Sequence, residues 1–390
     1  MTNPALQPVA DDTTRAAHRK GVALAALPLY IGFAATGVGV ALPGALLPAL
    51  LLRWGLHDEQ GGRLFLMAFI GASLGSLVVH GSLRNSLLLG SMAVVAGSVG
   101  LALCPSGAAF GCILLYGLGL GLAMTSINLI RQRQSGGSGT VLVRLNLFWA
   151  LGAFACPSLT VSALRTGDIR PVLFGLALCF VLLTAWTLFQ PDLPIEPSTR
   201  EGRPWAIFRS VPAGLILMTI LVPGVEASAG GWLATYAKRG GHGIAAAVAA
   251  PSCFWAGLLL SRLFWSTYSR WRSAEWTVRA SVLLMAVASI LLIASGSGLL
   301  MLIAAFCLGF GIGPVYPLLL AWALRFHRSG AIFFLAGVGA SSLPWLTGFV
   351  SSQRQSLSVG LAVPMSATIL LAVMSLLLPL KLWSKENPPH

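Results

Sequence analysis

Charged residues are scarce in this sequence. They make up 9% of its 390 residues, whereas hydrophobic residues make up 56% and the mean hydropathy is +0.83. A soluble globular domain carries about 25% charged residues. The composition therefore excludes a water-soluble fold and predicts a protein that lies in a lipid bilayer.

Acidic residues are the scarcer of the two signs. There are 11 Asp and Glu against 25 Lys and Arg, which gives a formal net charge of +14. A protein that binds nucleic acid gathers its Lys and Arg on one face. Here they are scattered between apolar stretches, so we predict no nucleic-acid partner and interpret the basic excess as a sign of membrane topology.

The sequence signatures of ATP-driven pumps and zinc enzymes are missing. No string of the form GxxxxGK[ST] or HExxH occurs, which leaves no P-loop and no zinc-protease motif. The six cysteines lie within or at the edges of apolar stretches and form no CxxC pair, so neither a disulfide framework nor a zinc site is indicated. We predict a protein that is not an enzyme and needs no cofactor or metal.

Apolar stretches of membrane-spanning length are abundant. About 20 helical residues cross the roughly 30 Å of hydrocarbon, because every backbone N–H and C=O must be satisfied internally. Six stretches occur in each half of the chain, which predicts an all-α membrane protein with twelve transmembrane helices. They cover about 22–52, 62–79, 87–104, 108–130, 145–163 and 171–189, then 212–236, 244–265, 278–294, 299–324, 331–350 and 357–382.

The distribution of Lys and Arg predicts the orientation. With the N-terminus inside, 18 of the 25 basic residues fall on the cytoplasmic side and 7 on the outer side, as the positive-inside rule requires. A miscounted helix would scramble this alternation. We predict a multi-pass protein of the plasma membrane, the bacterial inner membrane, with both termini cytoplasmic.

The two halves of the chain repeat a pattern of small residues. Gly117, Gly119 and Gly121 recur as Gly309, Gly311 and Gly313, and similar matches in the second and fifth spans have nearly the same offset. Because six is even, both halves enter from one face, which predicts two parallel, pseudo-symmetric six-helix bundles with a substrate site between them. The predicted segments are an N-terminal tail (1–20), the first bundle (21–189), a cytoplasmic linker (190–211), the second bundle (212–383) and a C-terminal tail (384–390).

These features carry a resemblance to a known family. The strings Leu46-Leu47-Pro48, Thr125-Ser126-Ile127-Asn128, Leu145-Asn146, Glu226 ahead of Gly230-Gly231-Trp232, Trp255-Ala256-Gly257 with Arg262, and Gly313-Pro314-Val315-Tyr316-Pro317 stand in successive spans. With them the chain resembles the major facilitator superfamily (MFS), and within it the fucose-permease-like group of sugar carriers. The resemblance implies a secondary transporter that works by alternating access.

The chain departs from that family at three places. The loop after the second span normally carries an acid, a base and a glycine, but residues 75–84 contain no acid. The fucose-type carriers have coupling acids where this chain has Gly44 and Met124. Their proton pathway therefore cannot simply be transferred to this chain.

Glu226 is the one carboxylate placed deep in a predicted span. An ionised acid at the centre of a membrane helix costs roughly 2.5 kcal/mol or more, so it usually faces a cavity. One interpretation is a proton-coupling or substrate-binding acid. The other is a neutral acid that bonds a neighbouring helix and holds the seventh span in place.

Asn128 and Asn146 are candidate ligands for a hydroxylated solute, because an amide both donates and accepts hydrogen bonds. Interhelical hydrogen bonding explains buried asparagines equally well. Aromatic residues in the spans offer stacking faces for a pyranose or an apolar drug, although each one taken singly is also explained by core packing. These aromatic candidates are Tyr30, Trp149, Trp232, Tyr236, Tyr316 and Trp345.

Two arginines are candidate gating residues. Arg262 lies near the cytoplasmic end of the eighth span, where it can extend to the headgroups. Alternatively, as the resemblance implies, it binds helix-end carbonyls in a closed inner gate. Arg84 ends the altered loop after the second span and is the other candidate for gating.

The sequence favours a secondary active transporter that moves a sugar or a similar small polar solute, with a proton as a candidate second substrate. We expect it to act as a monomer in the bilayer. An exporter of amphipathic compounds is the alternative, favoured by the many aromatics and few polar residues. A non-transporting receptor or scaffold is a second alternative, although no large soluble segment supports it.

Overall fold

A computed structural model describes residues 12–79, 81–134, 139–191, 206–268, 273–294, 296–326 and 331–384. Residues 1–11 of the predicted N-terminal tail, most of the predicted linker (192–205) and residues 385–390 of the predicted C-terminal tail lie outside the described residues. The described part is helical between short turns. Uninterrupted apolar sequence explains this, because a helix satisfies its own backbone groups in lipid.

The first half contains six long helices. They correspond to the first six predicted spans. The fifth span ends at Leu159, four residues early, and a short helix follows it. The helices are α1 (Asp12–Trp54), α2 (Asp58–Leu77), α3 (Leu83–Leu103), α4 (Ser106–Gln134), α5 (Gly139–Leu159), the short α6 (Val161–Thr166) and α7 (Arg170–Leu188).

The second half repeats this arrangement after a short α8 (Ile207–Ser210). Its six long helices correspond to the last six predicted spans, with short helices flanking the final one. They are α9 (Ala213–Ala237), α10 (Gly243–Tyr268), α11 (Ala274–Ala294), α12 (Gly298–Phe326), α13 (Ala331–Arg354) and α15 (Ala362–Leu377), with α14 (Leu357–Gly360) and α16 (Leu380–Ser384).

Ten stretches of the described residues are long and apolar enough to cross a membrane. One of them, Ala213–Trp265, is 53 residues long and contains both α9 and α10. A short kinked turn, Lys238–His242, joins these two helices, and Gly241 inside it has a left-handed φ of +78°. Helix α2 is outside the ten because its first turns are polar. Counting α9 and α10 separately and adding α2 gives the predicted twelve.

Helix α1 is longer than its predicted span. Its 43 residues begin at Asp12, so the helix includes the last nine residues of the predicted tail, 12–20. Ala, Arg and Lys dominate that segment and are strong helix formers. Hydropathy alone could not detect this extension, because the segment is polar.

Equivalent glycines hold equivalent helix pairs in the two halves. In the first half a side chain at Gly117 would collide with the carbonyl of Ala68, which brings α4 against α2. In the second half a side chain at Gly309 would collide with the carbonyl of Phe254, which brings α12 against α10 in the same way. The predicted internal repeat is therefore confirmed as a repeat of backbone contacts.

Two arginines make equivalent contacts at one face of the molecule. The Arg84 guanidinium donates to the carbonyl of Leu188 at the end of α7, with an N···O distance of 2.6 Å. The Arg279 Nε donates to the carbonyl of Ser375 near the end of α15, at 3.0 Å. In each half the third long helix thus binds the end of the sixth.

The ends of the long helices define two faces of the molecule. Because each half contains six long helices, α1 begins on the face where α15 ends. We call this the terminal face. The other, the opposite face, carries the α1–α2 connection at residues 55–57 and the α9–α10 turn, Lys238–His242.

Candidate binding cavity

A cavity of about 810 Å³ lies between the two halves. Four helices of the first half (α1, α2, α4 and α5) and five of the second (α9 to α13) line it. Pro43, Pro223 and Pro314 are in its wall. Prolines within spans remove backbone N–H donors and are tolerated where irregular backbone lines a cavity. The predicted site between the halves thus corresponds to a real space.

The cavity reaches the terminal face. Ser76 near the end of α2, Arg144 near the start of α5, Trp265 near the end of α10, Ala274 at the start of α11 and Phe333 near the start of α13 all line it. These helix ends lie on the terminal face. The described lining residues include none from the helix ends of the opposite face.

An apolar plug closes the cavity toward the opposite face. It joins both halves, because its members come from α1, α2, α9 and the α14 region. The rings of Phe65 and Trp232 meet edge to face with centroids 5.8 Å apart, and the Trp232 indole N–H donates to the carbonyl of Pro344 at 3.0 Å. The plug residues are Leu47, Leu51, Phe65, Trp232, Leu357 and Leu361.

An ion pair outside the plug locks the two halves together. Both Arg239 terminal nitrogens donate to the carboxylate of Asp58, each at 2.6 Å, and the Ser351 hydroxyl donates to the same carboxylate. The backbone N–H of Glu59 donates to the Ser352 hydroxyl at 2.8 Å. We call Asp58, Arg239 and Ser351 the inter-half lock.

Asp58 is held ionised in this lock. It is the first residue of α2, ahead of the apolar part of that helix, and its side chain is 9% exposed. Burial acts to raise its pKa, but hydrogen bonds from Arg239 and Ser351 outweigh burial and leave the pKa below its ordinary value of 3.8. Two N–H···O bonds from one guanidinium are the strong form of this contact.

Glu226 lies on the cavity wall, about midway along α9. Within the described part of the chain, no Lys, Arg or His nitrogen lies within 4.0 Å of its carboxylate. Arg262 on α10 interacts with it electrostatically at longer range. The acid therefore faces the cavity, as a group that binds a solute or a proton must.

Arg262 also lines the cavity and contacts the other half. Its guanidinium carbon lies 5.5 Å from the centroid of the Trp149 ring on α5, a distance typical of a cation–π contact. The Trp149 ring in turn meets Trp255 edge to face at 5.8 Å. These two tryptophans and the arginine form a wall that crosses from one half to the other.

Three buried nitrogens of residues that line the cavity have no acceptor among the described residues. They are the Arg262 Nε, the Trp149 Nε1 and the Trp265 Nε1. Arg262 and Trp265 stand three residues apart on α10, so they lie on the same helix face. Buried donors in proteins are nearly always paired, which makes this group unusual.

Six predicted site residues come together at the cavity. They are Asn128, Asn146, Trp149, Glu226, Tyr316 and the candidate gating residue Arg262. The Asn128 amide nitrogen donates to the Met124 carbonyl at 3.0 Å, within its own helix. The positions where the resembled carriers have coupling acids, Gly44 and Met124, line the cavity as well.

The other four predicted aromatic ligands lie away from the described lining. Tyr30 packs under Arg131, whose guanidinium carbon is 5.0 Å from its ring centroid. Trp232 belongs to the plug. The Tyr236 hydroxyl lies 3.2 Å from the carbonyl of Leu292, and Trp345 packs against Phe349 with centroids 5.9 Å apart.

The two candidate gating arginines differ in their contacts. Arg84 donates to carbonyls of α7 and so binds within the first half. Arg262 contacts Trp149 across the two halves. A gating role for either residue remains a prediction.

Sequence reasoning missed several residues that shape the site. Arg144, Trp255 and Trp265 line the cavity, and the inter-half lock joins Asp58 to Arg239 across 181 positions. One signal for the lock was available in the sequence. The number of spans between them places an acid at the start of α2 and a base after α9 on the same face. Their pairing needs the tertiary structure.

The described residues form neither a nucleophile elbow nor a metal cluster. Residues 71–75 read Gly-Ala-Ser-Leu-Gly and so match GxSxG, but they lie inside α2 and the Ser73 hydroxyl donates to the Phe69 carbonyl. A nucleophile elbow needs a strand-to-helix turn. Among the described residues, no group of three or more His, Cys, Asp or Glu is placed to hold a metal ion.

Comparison with known proteins identifies the fold. No family model and no curated protein matches the chain, but solved structures do. A mutant of the nucleoside transporter NupG aligns at 12% identity with a TM-score of 0.74, covering 90% of this chain and 99% of that one. A second NupG structure aligns at 13% and 0.69, covering 91% and 97%.

The transporter FucP, described as an MFS transporter in its outward conformation, aligns at 13% identity with a TM-score of 0.62, covering 90% of this chain and 97% of that one. Identities this low carry information on the fold alone. The protein therefore has the twelve-helix, two-half fold of the major facilitator superfamily transporters, which its sequence resembles.

Proposed function

We propose that this protein is a secondary active transporter that moves a small polar solute, a sugar or a chemically similar molecule, by alternating access. One observation carries the proposal: the cavity between the halves reaches one face and is closed from the other. A carrier must present its site to one side at a time. The similarity to NupG and FucP supports the same reading.

The closed end supports alternating access because its contacts are reversible. The inter-half lock consists of one ion pair and one hydroxyl contact, and the plug consists of a few apolar side chains. Such contacts can break and reform as the halves rock. The close glycine contacts within each half keep each bundle rigid during that motion.

Glu226 is the proposed proton site. It lines the cavity and has no basic nitrogen within 4.0 Å among the described residues. A carboxyl group that alternates between ionised and neutral forms can carry a proton with the solute. Asn128, Asn146 and Tyr316 would supply hydrogen bonds to the solute, and Trp149 a stacking face.

The proposed orientation follows from the positive-inside count. It places the terminal face in the cytoplasm, so the cavity described here is open to the inside of the cell. On this proposal the protein resides in the bacterial inner membrane, acts as a monomer and catalyses no chemical reaction. Arg84 and Arg262 would help to hold the inner side when it closes.

Proteoliposomes test the proton role of Glu226. Purified protein would be reconstituted with a pH-sensitive dye inside the vesicles, and L-fucose, D-galactose and uridine would be added outside in turn. We expect at least one of these solutes to acidify the lumen through the wild-type protein. Glu226→Gln should abolish acidification and solute accumulation while exchange of labelled solute continues, because the neutral side chain still permits binding.

Glu275→Gln is the matched control, because Glu275 is an acid at the start of α11 that does not line the cavity. This variant should behave like the wild type. Unchanged acidification in Glu226→Gln would rule out its proton role. Failure of every solute to exchange in the wild type would count against transport of small polar solutes.

Export of amphipathic compounds is the second candidate. The aromatic and aliphatic side chains that line much of the cavity favour it, among them Phe33, Phe65, Phe69 and Trp255. Vesicles loaded with a fluorescent lipophilic dye distinguish the two functions. Proton-dependent dye movement without movement of sugar or nucleoside would favour the exporter.

A further inference from the structure

We infer that the transported solute carries a carboxylate and that Arg262, flanked by the indole N–H groups of Trp149 and Trp265, binds it. This inference rests on the proposed transport function and narrows its substrate from small polar solutes in general to small organic acids. A sugar acid combines the carboxylate with the hydroxyl groups that Asn128 and Asn146 can bind.

The first reason is the excess of donors. The nitrogens Arg262 Nε, Trp149 Nε1 and Trp265 Nε1 are buried and have no protein acceptor among the described residues. All three side chains line the cavity. A ligand that satisfies them must bring acceptor atoms, and a carboxylate has two acceptor oxygens and no donor.

The second reason is charge. The lining contains three charged residues, namely Glu226, Arg144 and Arg262. The wall is therefore net positive when Glu226 is ionised and more so when it is protonated. A cationic solute would be repelled, and a neutral sugar would leave the Arg262 guanidinium without a counter-charge whenever Glu226 is protonated. A planar carboxylate matches the guanidinium in both charge and geometry.

The third reason is how the arginine is held. Stacking on Trp149 keeps the Arg262 guanidinium against the cavity wall. The guanidinium edge then carries the N–H groups, which is the edge that a carboxylate contacts. Trp149 belongs to α5 and Arg262 to α10, so a bound acid would touch both halves at once.

The same arrangement links the acid to the proton. Glu226 is the opposite charge that interacts with Arg262 in the cavity. When Glu226 is protonated, Arg262 loses that counter-charge, and an incoming carboxylate replaces it. Binding of the acid and of a proton to Glu226 should therefore be cooperative, and one monocarboxylate would cross with one proton without net charge movement.

The test uses matched pairs of an acid and its neutral counterpart on the purified full-length protein. The pairs are D-galacturonate with D-galactose, benzoate with benzyl alcohol, and lactate with propane-1,2-diol. A ligand that binds the folded protein raises its Tm. We expect at least one acid to raise the Tm, its neutral partner to have little effect, and the shift to be larger at pH 6 than at pH 8.

Variants assign the effect to Arg262. Arg262→Gln should weaken binding of the active acid by roughly 10- to 100-fold, because a hydrogen-bonded charge pair is lost. Arg262→Lys keeps the charge but loses the bidentate geometry of the guanidinium, so it should weaken binding less. It also serves as the test variant if Arg262→Gln does not fold. Arg170→Gln, an exposed arginine outside the cavity, should bind like the wild type.

Several outcomes would overturn the inference. They are equal stabilisation by an acid and its neutral partner, equal binding by the wild type and Arg262→Gln, and no stabilisation by any acid. If a neutral sugar moves with protons while the acids neither bind nor move, this inference fails and the proposed transport stands. If an acid binds through Arg262 but no solute is transported, the proposed transport fails.

Discussion

The two faces of this molecule differ in how the halves meet and in the residues that lie between them. On the opposite face the halves meet through an apolar plug and one ion pair that is stacked outside it. On the terminal face the halves stand apart, and the space between them contains aromatic residues and arginines. The comparison shows that the closed side joins the halves by apolar packing and one charge pair, whereas the open side keeps its charges available for a ligand.

Substitution of Gly44 should disrupt the closed face more than any other change proposed here. A side chain there would collide with the backbone of Gly230 and Gly231, where α1 meets α9. Overpacking of this kind costs about 3 kcal/mol. Closure can be measured with single cysteines introduced at buried Leu357 and at exposed Ser358, through the ratio of their labelling rates. Gly44→Val should raise this ratio, Leu357 over Ser358, by roughly 100-fold. Gly175→Val, where nothing lies within 4 Å, should leave the ratio unchanged.

Loss of the ion pair should have the next largest effect. Arg239→Gln removes both hydrogen bonds to the Asp58 carboxylate, and a charged hydrogen bond of this kind contributes about 2 kcal/mol. We expect the same labelling ratio to rise roughly 30-fold. Arg63→Gln is the control, because its ion pair with Glu59 lies within α2 on the same face.

Exchange of the two lock charges sharpens this result. Asp58→Arg combined with Arg239→Asp should restore part of the protection that either single variant loses. A double variant as open as the single ones would show that the pair does not hold the halves together.

Removal of the Ser351 hydroxyl should have a smaller effect. Ser351→Ala leaves the Asp58–Arg239 pair in place and removes one hydrogen bond to the carboxylate. A single bond contributes about 1 kcal/mol, so we expect a roughly 5-fold rise in the labelling ratio. A rise as large as that of Arg239→Gln would mean that the hydroxyl, and not the guanidinium, dominates the lock.

Moderate changes of pH should leave the closed face unaffected. The pKa of Asp58 lies below 3.8, so the stabilisation from its carboxylate is present above that range and is lost only as pH falls through the lowered pKa. The labelling ratio of the two cysteines should be constant from pH 5 to pH 8. A ratio that changed in this interval would point to His57, which acts electrostatically on Asp58, and not to the Asp58 carboxylate, whereas we assign proton coupling to Glu226 in the cavity.

The fold could be predicted from the sequence because the bilayer restricts the choices. Hydropathy alone located each of the twelve long helices to within a few residues, except the polar start of α1. The repeated glycines also predicted correctly that each half packs in the same way. A chain that spans lipid can form little besides helices, so the hydropathy pattern and the structure agree here.

The site was predictable only in part. Glu226, Asn128, Asn146, Trp149 and Tyr316 were chosen because polar and aromatic groups in spans tend to face cavities, and all five do. The same rule also selected Tyr30, Trp232, Tyr236 and Trp345, which bond or pack elsewhere in the structure. Side-chain direction around a helix decides between these outcomes, and in helices that are apolar on all sides the sequence carries little signal of it.

The inter-half lock shows why the rest of the site could not be predicted from the sequence. Asp58 and Arg239 are 181 residues apart, and each looks like an ordinary helix-end charge in the sequence. Only the docking of one half against the other brings them together. Contacts between the halves join residues far apart in the chain, so they leave no periodic trace along it.

The kinked turn between α9 and α10 connects the inter-half lock to the cavity along the chain. Arg239 of the lock stands in that turn, Glu226 on the helix before it and Arg262 on the helix after it. Because only five residues separate the two helices, a tilt of this helix pair that withdraws Arg239 would also move Glu226 and Arg262. On the proposed function, one helix pair would thus couple the closed face to the residues that bind solute and proton.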